Sequence, residues 1–537
     1  LSLSELPLPD SDRRAVPVLS LTTSDGTGLA LSSLRSKTVM EDPLVLTELE
    51  LAFDNPEDRT LEGRFAITLP EGASISRFAM EIDGHWQEGE VVEKKRARMT
   101  YESFLHRRKD PALMEKGAGN QFTVRVFPIP PRAKKRLLLT YSETLDPAQP
   151  FTLRLGGLPR MDTLDVDVFV RGDRVFSKHE KHFTPTGDLV LVPESVLAEG
   201  GAAVADGALV SLRVEVPDQA TTTSELEGAL FLVDTSAGRA RDLEHELTAV
   251  AAVVGELPPD TAVLVAGFDQ ELHVAFDGDA GAFGPASLDA LRRRRALGAS
   301  DLGQALTASR ELFATRHLSR LILVSDGIAS IGPRADEELA QRAASLVEHG
   351  IRRIDVLAFG SARSTPTLRK LSVAGADRGV VAELTASPES VVSRLRRPTL
   401  PDLEVAIPGA RWQSVRTVVG AQPGDTVIVH AELDRSPSSG ESSPRPIALS
   451  LGETKLAVPV RAVQSRKLLE RAHAIAKIAE LEGAAGSSEE RDAAIVELSR
   501  RHRVLARGTA MLVLETEADY RMFGIDRDAK HDVLVIE

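Results

Sequence analysis

Apolar and polar residues alternate along Leu44-Val45-Leu46-Thr47-Glu48-Leu49-Glu50-Leu51 and along Gly63-Arg64-Phe65-Ala66-Ile67-Thr68-Leu69, with Pro and Gly turns between them. A period of two predicts half-buried strands, so residues 45 to 142 read as β structure arranged as a sandwich. Gln121 to Phe127 and Arg136 to Tyr141 continue the pattern, and Lys95 to Arg107 breaks it with one short amphipathic helix.

The character changes between about 227 and 398. Apolar strands now alternate with helical stretches: Arg239 to Leu257, Asp301 to Thr315, Arg334 to His349 and Pro388 to Arg396. Ala262-Val263-Leu264-Val265-Ala266-Gly267-Phe268 and Ile354-Asp355-Val356-Leu357-Ala358-Phe359-Gly360 are the strands between them. This β/α alternation predicts a doubly wound, mostly parallel sheet with helices on both faces. Strand patterns flank it on either side, at Leu164 to Val170, Leu209 to Val216, Leu403 to Ile407, Thr426 to Leu433 and Lys455 to Val463. The economical topology is a second β-sandwich interrupted by the α/β domain, with Ser436 to Pro446 a loop inside it. Two helical stretches, Ser465 to Leu481 and Ser488 to Arg501, and a strand from Thr509 to Glu515 follow. The fold class is multidomain α+β. Its parts are a β-sandwich at 1–150, the two halves of a second sandwich at 151–226 and 399–463, the α/β domain at 227–398 and a helical segment with a final strand at 464–537.

Composition narrows the function. A chain of 537 residues exceeds one hydrophobic core. The net charge of -14 argues against a partner of nucleic acid, whose backbone requires clustered Lys and Arg; the Arg292 to Arg295 run reads as a solvated helix face. With no cysteine, disulfide frameworks, thiolate metal sites and cysteine nucleophiles are excluded together. No window approaches the ~18 uninterrupted apolar residues of a transmembrane segment.

The candidate chemistry sits where strands end. Leu230-Phe231-Leu232-Val233 runs into Asp234-Thr235-Ser236-Ala237-Gly238, and Leu321-Ile322-Leu323-Val324 runs into Ser325-Asp326-Gly327. Gly298-Ala299-Ser300-Asp301 supplies a third polar loop before a helix. In open α/β sheets such loops meet at one edge. Carboxylates and hydroxyls without His or Cys are hard oxygen ligands suited to Mg²⁺ or Mn²⁺.

Along almost the whole chain the residues resemble bacterial relatives of the inter-alpha-trypsin-inhibitor heavy chains, which join a vault/inter-alpha-trypsin (VIT) domain to a von Willebrand factor type A domain. The VIT-like marks are Asn55-Pro56, Leu69-Pro70-Glu71-Gly72-Ala73, Gly84, Glu93-Lys94, Ala97, Tyr101-Glu102, Asp110-Pro111-Ala112-Leu113, Asn120-Gln121-Phe122, Val126-Phe127-Pro128-Ile129 and Tyr141; Leu512 to Tyr520 resembles the end of the family's conserved region. The resemblance implies a metal-ion-dependent adhesion site (MIDAS) at Asp234, Ser236, Gly238, Ser300 and Asp326, holding Mg²⁺, Mn²⁺ or Ca²⁺. In the family pattern Asp-x-Ser-x-Ser forms the first loop, Thr the second and Asp the third. Here Gly238 replaces a serine, so a water takes the place of one hydroxyl, and Ser300 stands in for Thr. The implied function is non-enzymatic adhesion: Asp234, Ser236, Ser300 and Asp326 hold an ion whose last vertex binds an acidic residue of a protein partner. The expected location is extracytoplasmic: secreted, periplasmic or at the cell surface.

Other readings stand beside these. Asp234 and Asp326 are also placed to cap the helices that follow them, and Asp301 reads as a helix cap. Arg171-Gly172-Asp173 reads as a turn. His179-Glu180-Lys181-His182 has a spacing of three where the zinc-protease motif needs four, and Asp277-Gly278-Asp279 lacks the closing glutamate of a calcium loop. Glu93-Lys94 and Tyr101-Glu102 read as an ion pair and helix packing. Common enzyme signatures are missing from the sequence. A scaffold with a vestigial site is the runner-up, and a metal-dependent hydrolase lacks a histidine base in the three loops.

Overall fold

The computed structural model describes residues 3–5, 18–106, 112–117, 119–145, 151–193, 201–217, 226–316, 318–436, 445–484, 488–514 and 516–525. Asp110, Pro111, Glu515 and the 437–444 stretch of the proposed loop lie outside them, as do the side chain of Glu102 and residue Arg107. The chain divides into two compact units. One comprises Leu1–Glu215, Val405–Arg416 and Thr426–Glu537; the other comprises Val216–Glu404 and Thr417–Asp425.

In the first unit, a seven-stranded sheet runs in the order Asp173–Phe183, Met161–Val170, Ala30–Glu41, Leu44–Asp54, Lys134–Thr144, Ser74–Ile82 and His85–Glu88. A six-stranded sheet runs Leu19–Thr23, Leu61–Thr68, Gln121–Ile129, Ala112–Lys116, Thr509–Val513 and Glu90–Glu93. Leu51, Phe78 and Leu137 of the first sheet share one buried cluster with Phe65, Phe122, Met114 and Met511 of the second. Period-two alternation puts these residues inward, and Gln121–Ile129 shows the matching rhythm of burial.

Strand pairing differs from the sequence reading at two places. Met161–Val170, expected in the second sandwich, pairs in parallel with Ala30–Glu41, from Thr163 opposite Ser33 to Val170 opposite Met40. Thr509–Val513, expected as a tail strand, lies between Glu90–Glu93 and Ala112–Lys116 and is antiparallel to both. Alternation identifies a strand but not its partner, which non-local packing decides. Lys94 is paired through Nζ with Glu115 Oε1 at 3.8 Å rather than with its neighbour Glu93.

A five-stranded sheet in this unit, ordered Ala410–Gln413, Thr426–Leu433, Leu209–Glu215, Ala202–Asp206 and Val460–Ala462, draws strands from both sides of the α/β segment. Helices Arg466–Gly483 and Glu489–His502 begin at Ser465 and Ser488, whose side chains accept from Leu468 N and Arg491 N. Each serine satisfies a free N–H of the first turn.

The second unit is the doubly wound domain. Its strands are β1 (Gly228–Asp234), β2 (Ala262–Phe268), β3 (Leu272–Asp279), β4 (Arg320–Ser325), β5 (Arg353–Ala358) and β6 (Val381–Glu383), ordered β3-β2-β1-β4-β5-β6. All neighbours are parallel except β2 and β3. Alternation within β1 separates the faces. Phe231 and Val233 pack with helices α1 (Leu243–Gly255) and α2 (Asp289–Arg294) on one side. Leu230 and Leu232 pack with α3 (Leu302–Arg316), α4 (Asp336–Ala344) and α5 (Thr365–Ser372) on the other, and α6 (Pro388–Arg396) joins the first face. Strands buried on both faces read as continuous apolar runs, as these do.

Candidate functional site

The β1 and β4 strands end next to each other in register, Val233 opposite Val324, so Asp234 and Ser325-Asp326 emerge at the same sheet edge. Backbone bonds then stitch three loops together. Ala237 N donates to Gly298 O at 2.7 Å, joining the first to the second. Ser330 N donates to Ser300 O at 2.9 Å, joining the second to the third. Gly298 lies against Asp269, where a Cβ would come within 2.7 Å of the carboxyl carbon, so this close passage requires glycine.

Within that frame Asp234, Ser236, Ser300 and Asp326 are all buried. Asp234 Oδ1 accepts from Ser236 N at 3.0 Å; Oδ2 accepts from Ser300 Oγ at 3.0 Å and from Ser325 Oγ at 3.4 Å. Asp326 Oδ1 accepts from Ile328 N at 2.8 Å. The charge of Asp234 acts on Asp326: burial first, then that repulsion, push the Asp326 carboxyl up to about 6 against the opposing pull of Arg239. Asp301 accepts from Gln304 N at 2.9 Å and caps α3, as its position suggested. Gly238 borders the crevice without a ligand atom, and a Cβ there would meet only Ser236 Oγ, at 3.7 Å.

Two further charged residues belong to the cluster. Arg239 Nη2 donates to Asp326 Oδ2 at 2.5 Å and Nη1 to the Phe359 carbonyl at 3.3 Å, while its buried Nε has no hydrogen-bond partner. Gly360, at φ +93, gives the guanidinium its space: a Cβ there would collide with Nη1. Glu246 on α1 is fully buried, and neither carboxylate oxygen has a partner. Burial pushes its carboxyl well above the ordinary range, Arg239 opposes this, and Asp234 and Asp326 add to it. Sequence reading treated Arg239 as the start of a helix, which in fact begins at Leu243 after a 3₁₀ turn at Ala237–Arg239. The available signal was Glu246 inside the apolar stripe of Leu243, Leu247 and Val250.

The donor set suits a divalent ion: two carboxylates and two hydroxyls, all hard oxygens, with net negative charge around them. Among the described residues no three His, Asp or Glu side chains form a metal-holding group, so the hydroxyls are essential to such a site. One obstacle is present, the guanidinium on Asp326 Oδ2.

A sheet pair with a shared core and a doubly wound unit with Asp at its carboxyl edge define a multidomain chain of mixed α/β class. Residues 31–141 match the family model of the Vault protein inter-alpha-trypsin domain, VIT. Among curated relatives, the Protein mono-ADP-ribosyltransferase PARP4 of Mus musculus is 29% identical over 101 residues, 19% of this chain and 5% of that protein. Its counterpart in Homo sapiens is 25% identical over 134 residues, 25% and 8% respectively. The chain thus spans less than a tenth of the length of either. Among solved structures, von Willebrand factor type A from Catenulispora acidiphila aligns at 18% identity over 56% of this chain and 83% of that one, with TM-score 0.30. The manganese-loaded Plasmodium vivax TRAP protein aligns at 14% over 42% and 98%, with TM-score 0.25. The family match agrees with the VIT part of the resemblance read from the sequence. No helix among the described residues is long and apolar enough to cross a membrane.

Proposed function

We propose that this chain is a non-enzymatic protein-interaction module that works outside the cytoplasm and binds an acidic residue of a partner at the β1–β4 edge of its α/β unit. The observation that carries this reading is the convergence of oxygens from three loops, with Ser300 Oγ 3.0 Å from Asp234 Oδ2 inside a backbone-stitched frame. Asp234, Ser236, Ser300 and Asp326 would hold Mg²⁺, Mn²⁺ or Ca²⁺. A divalent ion bound there supplies a positive centre with an open position for a carboxylate. Asp234 Oδ2 orients both partner loops through Ser300 and Ser325, Oδ1 holds its own loop through Ser236 N, and the buried frame keeps water from competing for them. The sheets of the first unit serve as the platform. Calorimetry with Mn²⁺ tests the reading: heats present in wild type and lost in Asp234→Ala support it, and identical heats for both remove it.

A second reading draws on the Arg239–Asp326 pair, which compensates a buried carboxylate without any ion. On that reading the chain is a scaffold with a vestigial site. Partner binding that survives both EDTA and Asp326→Ala would favour it.

A further inference from the structure

We propose that Arg239 is the resident counter-cation of the crevice and that a divalent ion enters by exchange, the guanidinium leaving Asp326 for Glu246. The inference rests on the metal reading above and concerns how that same site is regulated. It starts from charge. Asp234, Glu246 and Asp326 are three buried carboxylates within electrostatic reach of one buried guanidinium. Burial favours the protonated form of Glu246; Asp234 and Asp326 alone still outnumber the guanidinium by one negative charge. Buried charge without compensation is costly, so a cluster with this excess favours a further cation.

Geometry supplies the route. Arg239 holds the Asp326 oxygen that a metal would need, through Nη2 at 2.5 Å. Glu246 stands within the electrostatic reach of Arg239 with both oxygens unpartnered, and Arg239 Nε is unpartnered as well. A guanidinium is a planar fork that pairs two-pronged with a carboxylate, so the unpartnered Glu246 offers it a second seat. Moving there satisfies orphan atoms on both residues and frees Asp326 Oδ2. Gly360 leaves Arg239 its room. The exchange makes the crevice a competition between an internal cation and an external one, so affinity for the ion is set by residues that never touch it.

The test is Mn²⁺ binding to the full chain, read by the electron paramagnetic resonance of free Mn²⁺ and by the rise in melting temperature on adding the ion. Arg239→Gln removes the competitor and is expected to bind at least about tenfold more tightly than wild type, with a larger rise in melting temperature. Glu246→Gln removes the second seat and is expected to bind about tenfold more weakly. If Arg239→Gln does not fold, Arg239→Lys serves: a point charge holds the carboxylate less completely, so Mn²⁺ should bind more tightly than to wild type. If wild type binds and neither Arg239 variant gains, or if Glu246→Gln binds as wild type does, the exchange is wrong while the metal site stands. If no variant binds, Arg239→Gln included, the metal reading itself fails and the exchange falls with it.

Discussion

Ser300 Oγ donates to Asp234 Oδ2 across 3.0 Å, joining side chains 66 positions apart. The bond uses the hydroxyl's proton and leaves its oxygen lone pairs for an ion, a function that Thr performs equally well. Ser300→Thr should therefore retain Mn²⁺ binding, and Ser300→Ala should weaken it. Losing this bond to a buried carboxylate should also cost about 1–3 kcal/mol of stability. Calorimetry and urea denaturation of the two variants check both expectations.

Gly238 tests the missing ligand. The space beside it accepts a Cβ at ordinary contact distance from Ser236 Oγ, and its φ is not left-handed. Gly238→Ser should fold with wild-type melting temperature and bind Mn²⁺ more tightly, because it adds a hydroxyl oxygen to the first loop. Unchanged affinity in a folded variant would show that position 238 does not face the ion.

Arg503 is fully buried, with Nη1 2.7 Å from Glu90 Oε2 and Nη2 2.5 Å from the Gly89 carbonyl. Arg503→Met takes the buried guanidinium away from the buried Glu90 carboxylate and should cost about 3–5 kcal/mol in urea denaturation. The double variant Arg503→Met with Glu90→Gln should recover part of that loss. Additive losses would show that the two side chains act independently.

Acid should weaken the first unit through His430 and His473. Their rings lie 5.5 Å apart; Ser211 Oγ is 2.7 Å from His430 Nδ1, and His473 Nε2 donates to the Val210 carbonyl at 3.0 Å. Burial pulls His430 down to about 3 and His473 down to about 4 from 6.5, helped by each other's proximity for His430 and by Lys477 and His502 for His473. Both are neutral in the fold, whereas the unfolded chain takes up protons below 6.5. The stability this gives is fully present above that value and is lost as pH falls toward the folded values. The loss is about 1.4 kcal/mol per pH unit for each ring within its window. Urea midpoints at about pH 7.5 and about pH 5 should differ accordingly, and His430→Gln should reduce the slope. An unaltered slope in that variant would remove His430 from the account.

Much of this architecture is written in local pattern. The β/α alternation from 227 to 398 is visible because the central strands β1, β2 and β4 are buried on both faces and read as apolar runs, and Asp234 and Asp326 stand out at the ends of two of them. Arg239 and Glu246 do not stand out, since a charged residue in a helical stretch ordinarily faces water; only the apolar stripe around Glu246 hints otherwise. Strand partners are less legible still. Nothing near Met161–Val170 indicates Ala30–Glu41, because register is a property of the assembled sheet.

The seat of Thr509–Val513 between Glu90–Glu93 and Ala112–Lys116 has a kinetic consequence. Until a ribosome has passed residue 513, two strands made long before must wait with open edges, which are templates for wrong pairing between chains. Synthesis of the α/β segment falls inside that wait, and its mostly neighbouring β/α contacts allow it to mature first. A chain stopped short of 509 should leave this slot empty and the newborn sheet sticky.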